Sequence, residues 1–483
     1  MMRTFSTPRR LGIILISICI TMGLFSCGKD DPVGSKSSEK KIKSFVINTL
    51  SPAATGTINE ETKTISVIVL AGTDLKNLVP TISVSDKASI SPSSGLAQDF
   101  TAPVVYTVTA EDGSTAKYTV TVNSGTATTL PDNISENTTL KDLGLPVDYV
   151  VEGILWIDGN AQFKIEPGVT IMFASSHSRI IIGDNAGLIA KGTPDKHITF
   201  RGPLNNNTKG SFSGIEIRSN RSDNVMEFVD IINAGSDSDD GVLKIAYEAK
   251  LKMSNCLIDG SLSYGVRCND GVISEFKNNI IKNCDKAPII SGYLLGVIAI
   301  DGSNKFESNK QNIIIVENSH GNKTESTLNN IGIPWQFESG YFVENVFTIQ
   351  AGAKLIFDID RSLVISDKGA IVAKGTADKP ISFVSTKNKA GAWKGIKINT
   401  RWDNILENCI IDGGGADDNE GNLYIHEDAV VTLNKNTFSN SSNYGISRFQ
   451  KDGDKVKGSG NIFTNCAKGN VFNREDESKS DNL

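Results

Sequence analysis

The sequence predicts an all-β chain: a small N-terminal β-sandwich followed by a duplicated right-handed parallel β-helix. Three observations carry this prediction. Residues 165–200, IEPGVTIMF…GLIAKGTPDKHITF, return at 349–383 as IQAGAKLIF…AIVAKGTADKPISF. Both copies string short, alternating apolar runs between Gly, Asn, Asp and Pro, the pattern of strands stacked in a solenoid. No helical periodicity of useful length separates those runs, which excludes a doubly wound α/β fold.

Taken from the start, residues 1–26 read as an export leader. Arg3, Arg9 and Arg10 precede an apolar stretch, Leu11 to Phe25, too short for a comfortable permanent span. Leu24-Phe25-Ser26-Cys27 resembles the lipobox of bacterial lipoproteins. That resemblance implies a lipidated Cys27 as mature N-terminus, hence a membrane partner. Gly28-Lys29-Asp30-Asp31 resembles the acidic export signal of Bacteroides-type lipoproteins, implying an outer-membrane anchor with the chain exposed at the cell surface. Residues 27–40 form a polar tether.

Residues 41–123 read as the sandwich. KIKSFVIN, KTISVIVL and PTISVS are strand-like, and alternating runs flank Glu111-Asp112-Gly113-Ser114, a hairpin signal. The ending VYTVTAEDGSTAKYTVTV resembles the Ig-like spacer modules of Bacteroides-type surface lipoproteins, which implies a domain that lifts the rest off the membrane. A polar linker is expected over 124–137.

The duplication then occupies 138–320 and 321–474. TLKDLGLP (139–146) is echoed by TLNNIGIP (327–334), FSGIEI (212–217) by WKGIKI (393–398), and SYGV (263–266) by NYGI (443–446). Rungs of about 20–25 residues give roughly six to eight per copy, with one extra in the first. Inward Ile, Val and Phe fill a narrow core, while Asn and Gly at the corners accept left-handed turns. The restarted TLxxxGxP element looks like a cap and favours a fresh solenoid over coaxial stacking. Residues 475–483 form a polar tail expected to fray. The region resembles the right-handed β-helix domains of many surface lipoproteins.

Composition narrows the function. The net charge is −6 and the leader carries only positive charge, so the mature chain is more acidic still and has no basic cluster for nucleic acid. Beyond Cys19 and Cys27 stand Cys256, Cys268, Cys284, Cys409 and Cys466, without CxxC spacing; four of the five follow or flank Asn inside apolar runs, as in NCLID, NCDK, NCIID and NCAK. They read as small buried hydrophobes rather than disulfide or metal groups.

Two acidic loops stand at matching positions, Asp237-Ser238-Asp239-Asp240 and Asp417-Asp418-Asn419-Glu420. Clustered carboxylates repel unless solvated or shared by a cation. Asp237, Asp239, Asp240, Asp417, Asp418 and Glu420 are therefore Ca²⁺ candidates, against the plainer reading of solvated turns. Such a cluster beside Lys or Arg resembles the centre of β-helical polysaccharide lyases. Both copies also carry Arg-x-Asp-Asn, and Arg221 and Arg401 are candidates for gripping an anionic sugar, against a structural corner. Trp402 has Ser222 as its counterpart, so the repeat does not demand it. It is a sugar-stacking candidate, although partial burial is the favoured reading. Trp393, matching Phe212, reads as packing, as do Tyr264 and Tyr444. Of the NTD, DD, GHG and RxK elements of β-helical galacturonases, the acidic loops supply DD, while NTD and GHG are missing. The expected function is non-catalytic binding of an extracellular polymer, a glycan above all. A Ca²⁺-dependent lyase and an adhesive protein with a protein partner are the alternatives.

Overall fold

The computed structural model describes residues 36–50, 53–204, 206–237, 240–318, 320–449 and 455–483. The leader, Cys27 and the start of the tether lie outside them.

The N-terminal domain is a two-sheet sandwich. Ile42–Ile47 lies between Ala54–Thr55 and Thr81–Val84, and the second sheet orders Thr57–Asn59, Thr64–Leu70, Thr115–Gly125, Val104–Thr109 and Ser89–Ser91. The hairpin read from Asp112-Gly113 is present, closing at Thr109 opposite Thr115. Gly113 takes the left-handed conformation that the turn requires (φ +85°). Alternation places Tyr106, Val108, Tyr118 and Val120 in the core, where Phe45 meets Tyr106 edge-on at 5.7 Å.

The expected linker is not one. Thr128–Thr129 pairs in parallel with Tyr149 and Val150, and Asn133–Ile134 pairs with Trp156 and Ile157. The solenoid therefore begins inside 124–137, because these Thr- and Asn-rich residues satisfy the otherwise open backbone edge of the first full rung. The junction is tight: a Cβ on Gly125 would stand 2.3 Å from the Leu145 side chain.

In the first copy each rung crosses three parallel sheets. Thr170–Phe173 lies in an eight-stranded sheet, Arg179–Ile182 in a 14-stranded one and Gly187–Lys191 in a six-stranded one. The 14-stranded sheet runs through both copies without a break, with Ile314 paired to Trp335 and Trp335 to Leu355. The fresh start favoured by TLxxxGxP is thus corrected to coaxial stacking. Trp335, fully buried, fills the junction and donates its indole N–H to Asn329 O at 3.0 Å.

Stacking brings a shift that the repeat alone does not reveal. Lys354–Phe357, the counterpart of Thr170–Phe173, belongs to the 14-stranded sheet rather than to a continuation of the eight-stranded one. Ser362–Ile365, counterpart of Arg179–Ile182, lies in a separate seven-stranded sheet. The second copy is therefore turned about the solenoid axis by one face of three. The change occurs between Ile314–Val316 and Ser326–Leu328, where the described residues 317, 318 and 320–325 contribute no strand.

One apolar core runs from Leu130 to Val471. Its aromatic stacks repeat: Phe173 on Phe212 at 4.1 Å, and Phe357 on Trp393 at 4.8 Å, so Trp393 is a packing residue as read. At one corner a buried asparagine ladder ties rung to rung. Cys256 N–H bonds Asn279 Oδ1 (3.0 Å) and Asn279 N–H bonds Asn304 Oδ1 (2.9 Å). In the second copy Cys409, Asn436 and Asn461 repeat the arrangement at 2.9 and 3.0 Å. The preceding Asn255, Asn278 and Asn408 take left-handed turns, as expected of corner asparagines.

The tail is also corrected. Ser478–Ser480 returns antiparallel to Val471–Asn473, covering the last edge of the seven-stranded sheet. An open parallel edge invites further pairing, and this polar strand blocks it.

Cys256, Cys268, Cys284 and Cys409 are buried, and burial pushes each thiol up to about 12. Protein beginning at Gly28 is expected to give no fast Ellman reaction at these four, with all five remaining thiols reacting in denaturant. Rapid native modification at Cys256 or Cys409 would contradict their inward placement.

Candidate functional site

The Arg-x-Asp-Asn turns show which part of the motif is structural. Asn224 and Asn404 are buried and make matching bonds to adjacent rungs. Each Oδ1 accepts a backbone N–H, from Leu188 (2.9 Å) and Ile371 (3.0 Å). Each Nδ2 donates to a carbonyl, of Lys250 (3.1 Å) and Val430 (3.0 Å). Arg221 is committed locally: Nε and Nη2 reach Asp223 at 2.9 and 2.6 Å, and Nη2 also donates to Gln162 Oε1. Its hydrogen bonds to Asp223 hold the guanidinium above its usual pKa. Arg401 instead reaches Asp428 on the next rung at 2.7 Å and keeps 79% of its side chain exposed.

Trp402 is 58% exposed, so the favoured partial burial is corrected. Its backbone explains this. Thr400 Oγ1 accepts the Trp402 N–H (3.2 Å) and Asn404 Nδ2 donates to its carbonyl (2.7 Å), so the turn is held while the indole faces solvent. Asn399, three residues earlier, lines a groove of about 620 Å³ with Lys323, Glu344, Ser366, Asp367 and Lys368. Trp402 does not line this groove but follows the same turn, in which Thr400 Oγ1 donates to Asp367 O at 3.2 Å. Polar groups and an exposed aromatic face are the two elements that a carbohydrate's hydroxyls and apolar ring face require.

Among the described residues, carboxylates of both acidic loops pair with lysines. Asp417 meets Lys394 at 3.1 Å and Lys397 at 2.8 Å, and Glu420 meets Lys397 at 2.7 Å, while Asp418 is exposed. In the first copy Asp240 pairs with Lys244 at 3.2 Å, Asp237 is exposed at a groove rim, and Asp239 lies outside the described residues. Among the described residues no three His, Cys, Asp or Glu side chains converge as metal ligands. Lys244 follows Asp240 on the same rung, whereas Lys394 and Lys397 come from the rung before Asp417, a pairing that sequence spacing does not show.

Burial alone would raise the Asp417 carboxyl, but hydrogen bonds from Lys397 and Lys394 hold it below the usual carboxylate range. Burial alone would lower Lys397, yet Asp417 and Glu420 hold it above its usual value. Lys397→Met therefore removes a stabilisation that is full above the unfolded carboxylate pKa of about 4 and fades as pH falls through the depressed native value. Urea titrations are expected to show a gap between wild type and variant at neutral pH that narrows below about pH 4. An equal gap at both would show that the ion pairs do not supply it.

A second aromatic edge escaped the sequence reading. Tyr247 is 69% exposed at the corner between the 14- and six-stranded sheets of the first copy. It borders a cavity of about 360 Å³ with Asp184, Arg218 and Asn220, and Arg218 lies over the Trp156 ring at 5.0 Å. Its counterpart is Glu427, so Tyr247, like Trp402, is an aromatic that the repeat does not require. Comparing the copies for unshared aromatics would have found it.

The comparisons bear on the ends of the chain differently. Residues 42–122 match the family described as SGBP, N-terminal. This SGBP-type domain is the whole sandwich, so the match leaves the solenoid unassigned. No curated protein matches the chain. A crystal structure of a candidate glycoside hydrolase from Bacteroides thetaiotaomicron VPI-5482 is 33% identical over 21% of this chain and 29% of that one, with TM-score 0.17. A candidate secreted protein from Bacteroides fragilis NCTC 9343 is 21% identical over 20% of this chain and 99% of that one, with TM-score 0.15. At these TM-scores neither likeness bears on the solenoid.

Proposed function

We propose that this is a cell-surface glycan-binding protein whose solenoid carries the binding faces and whose sandwich is a spacer. The observation that carries the reading is the match of residues 42–122 to the SGBP N-terminal family, in which the letters denote surface glycan-binding proteins. Trp402, held in an ordered turn with its indole in solvent and three residues beyond the groove-lining Asn399, supports the solenoid as the contact surface. A lipid on Cys27 anchors the chain in the outer membrane, and the tether and sandwich set its height.

The test is affinity-gel retardation of the purified protein across neutral and acidic polysaccharides, paired with an ultraviolet assay for unsaturated products with and without Ca²⁺. Retardation without product supports binding. Calcium-dependent product lost in Asp240→Ala would replace this reading with a lyase, and silence in both assays would shift it to a protein partner.

A further inference from the structure

Five successive rungs of the first copy, from that of Ile154 to that of Leu262, contribute to a groove of about 650 Å³ on the side where chain enters the 14-stranded sheet. Ser176 and His177 come from one turn, Ser213 from the next and Ser236 from a third, with Leu262 beyond. Ser236 Oγ donates to Ser176 O at 2.5 Å, fixing two of these turns together. Arg179 opens the strand at the floor, in register with Ile154 on one side and Gly214 on the other. Gly214 is obligatory: its φ is +137°, and a Cβ there would stand 2.2 Å from Val242 O. The residue beside Arg179 therefore has no side chain, leaving a trough.

Arg179 is unlike the other arginines of the described residues. Arg218, Arg221, Arg267, Arg401 and Arg448 each reach a carboxylate or an amide, and Arg201, Arg361 and Arg474 reach carbonyls. Arg179 Nε is buried without any hydrogen-bond partner. Glu216 and Asp240, which line a small separate cleft that shares Arg179 and Ser213 with the groove, are taken by Arg218 at 2.8 Å and Lys244 at 3.2 Å. A buried donor without an acceptor is costly and calls for an explanation. The fold does not supply one, because the counterpart of Arg179 in the second copy is Ser362, aligned on Gly395 in the same way.

We infer that this groove is a subsite for an acidic sugar, whose carboxylate or sulfate ester bonds the Arg179 guanidinium while the serine hydroxyls and Leu262 receive the ring. The inference rests on the glycan-binding reading and adds a charge preference to it. A guanidinium offers an oxyanion two parallel N–H groups, a match that a neutral sugar does not provide.

The experiment measures retardation of wild type and Arg179→Gln by polygalacturonate, by its carboxyl-reduced neutral twin and by a sulfated polysaccharide. Thermal unfolding of both proteins checks that the variant folds. The expected result is that wild type prefers an acidic polymer over the neutral twin by at least tenfold. Arg179→Gln should abolish that preference, bringing acidic binding down to the level of the neutral twin. Preference for polygalacturonate assigns a carboxylate, and preference for the sulfated polymer a sulfate ester. Equal binding of acidic and neutral polymers by wild type, or an unchanged preference in Arg179→Gln, overturns the inference but leaves glycan binding standing. Retardation by no polysaccharide at all overturns both.

Discussion

Asn436→Ala is expected to lower the unfolding free energy by about 3 kcal/mol, among the largest effects available from one side chain here. Asn436 is fully buried and makes three side-chain bonds: it accepts from Cys409 N–H (2.9 Å) and donates to Leu406 O (2.8 Å) and Asn461 Oδ1 (3.1 Å). Truncation strands Cys409 N–H and Leu406 O inside the stack, where water does not replace the partner. Asn470→Ala is the control, since its side chain is exposed and bonds only Asp481 O at 3.1 Å; it should stay within about 0.5 kcal/mol. Because each rung contacts mainly its neighbours, the loss should also appear as faster amide exchange on adjacent rungs rather than uniformly. Equal stability of the two variants would show that the ladder is incidental to the stack.

Trp402→Ala is expected to weaken retardation by whichever neutral polysaccharide the protein binds by roughly 5- to 100-fold, the range of a lost aromatic stacking contact of about 1–3 kcal/mol. Thermal unfolding should barely move, because the indole is 58% exposed and the turn is held by Thr400 and Asn404 instead. Trp402→Phe keeps a flat face and should retain most of the binding. Loss in Trp402→Phe equal to that in Trp402→Ala would point to the indole N–H, and unchanged binding in both would exclude this face.

The architecture was legible because solenoid physics is periodic. Alternating runs, corner asparagines and a repeated AKGT survive as plain sequence signals. The repeat also separated structure from surplus: Trp393 has a Phe212 counterpart and is core, whereas Trp402 has Ser222 and is exposed. What stayed hidden depends on neighbours one rung away. The Lys394 and Lys397 pairing of the second acidic loop, the Asp428 partner of Arg401 and the unpartnered Arg179 each follow from which strands lie side by side. Residues 128–134 looked like a linker because a first rung needs an inward apolar face on only one side.

The turn of one face between the copies has a consequence for valency. Tyr247 and Trp402 occupy equivalent corners of their copies, yet that turn places them on different edges of the prism. A straight polymer lying along one edge leaves the other edge open to a second chain. Under the proposed glycan binding, duplication then yields a bridge rather than a longer clamp: two strands are cross-linked, with avidity gained only where the polymer is dense enough to supply both.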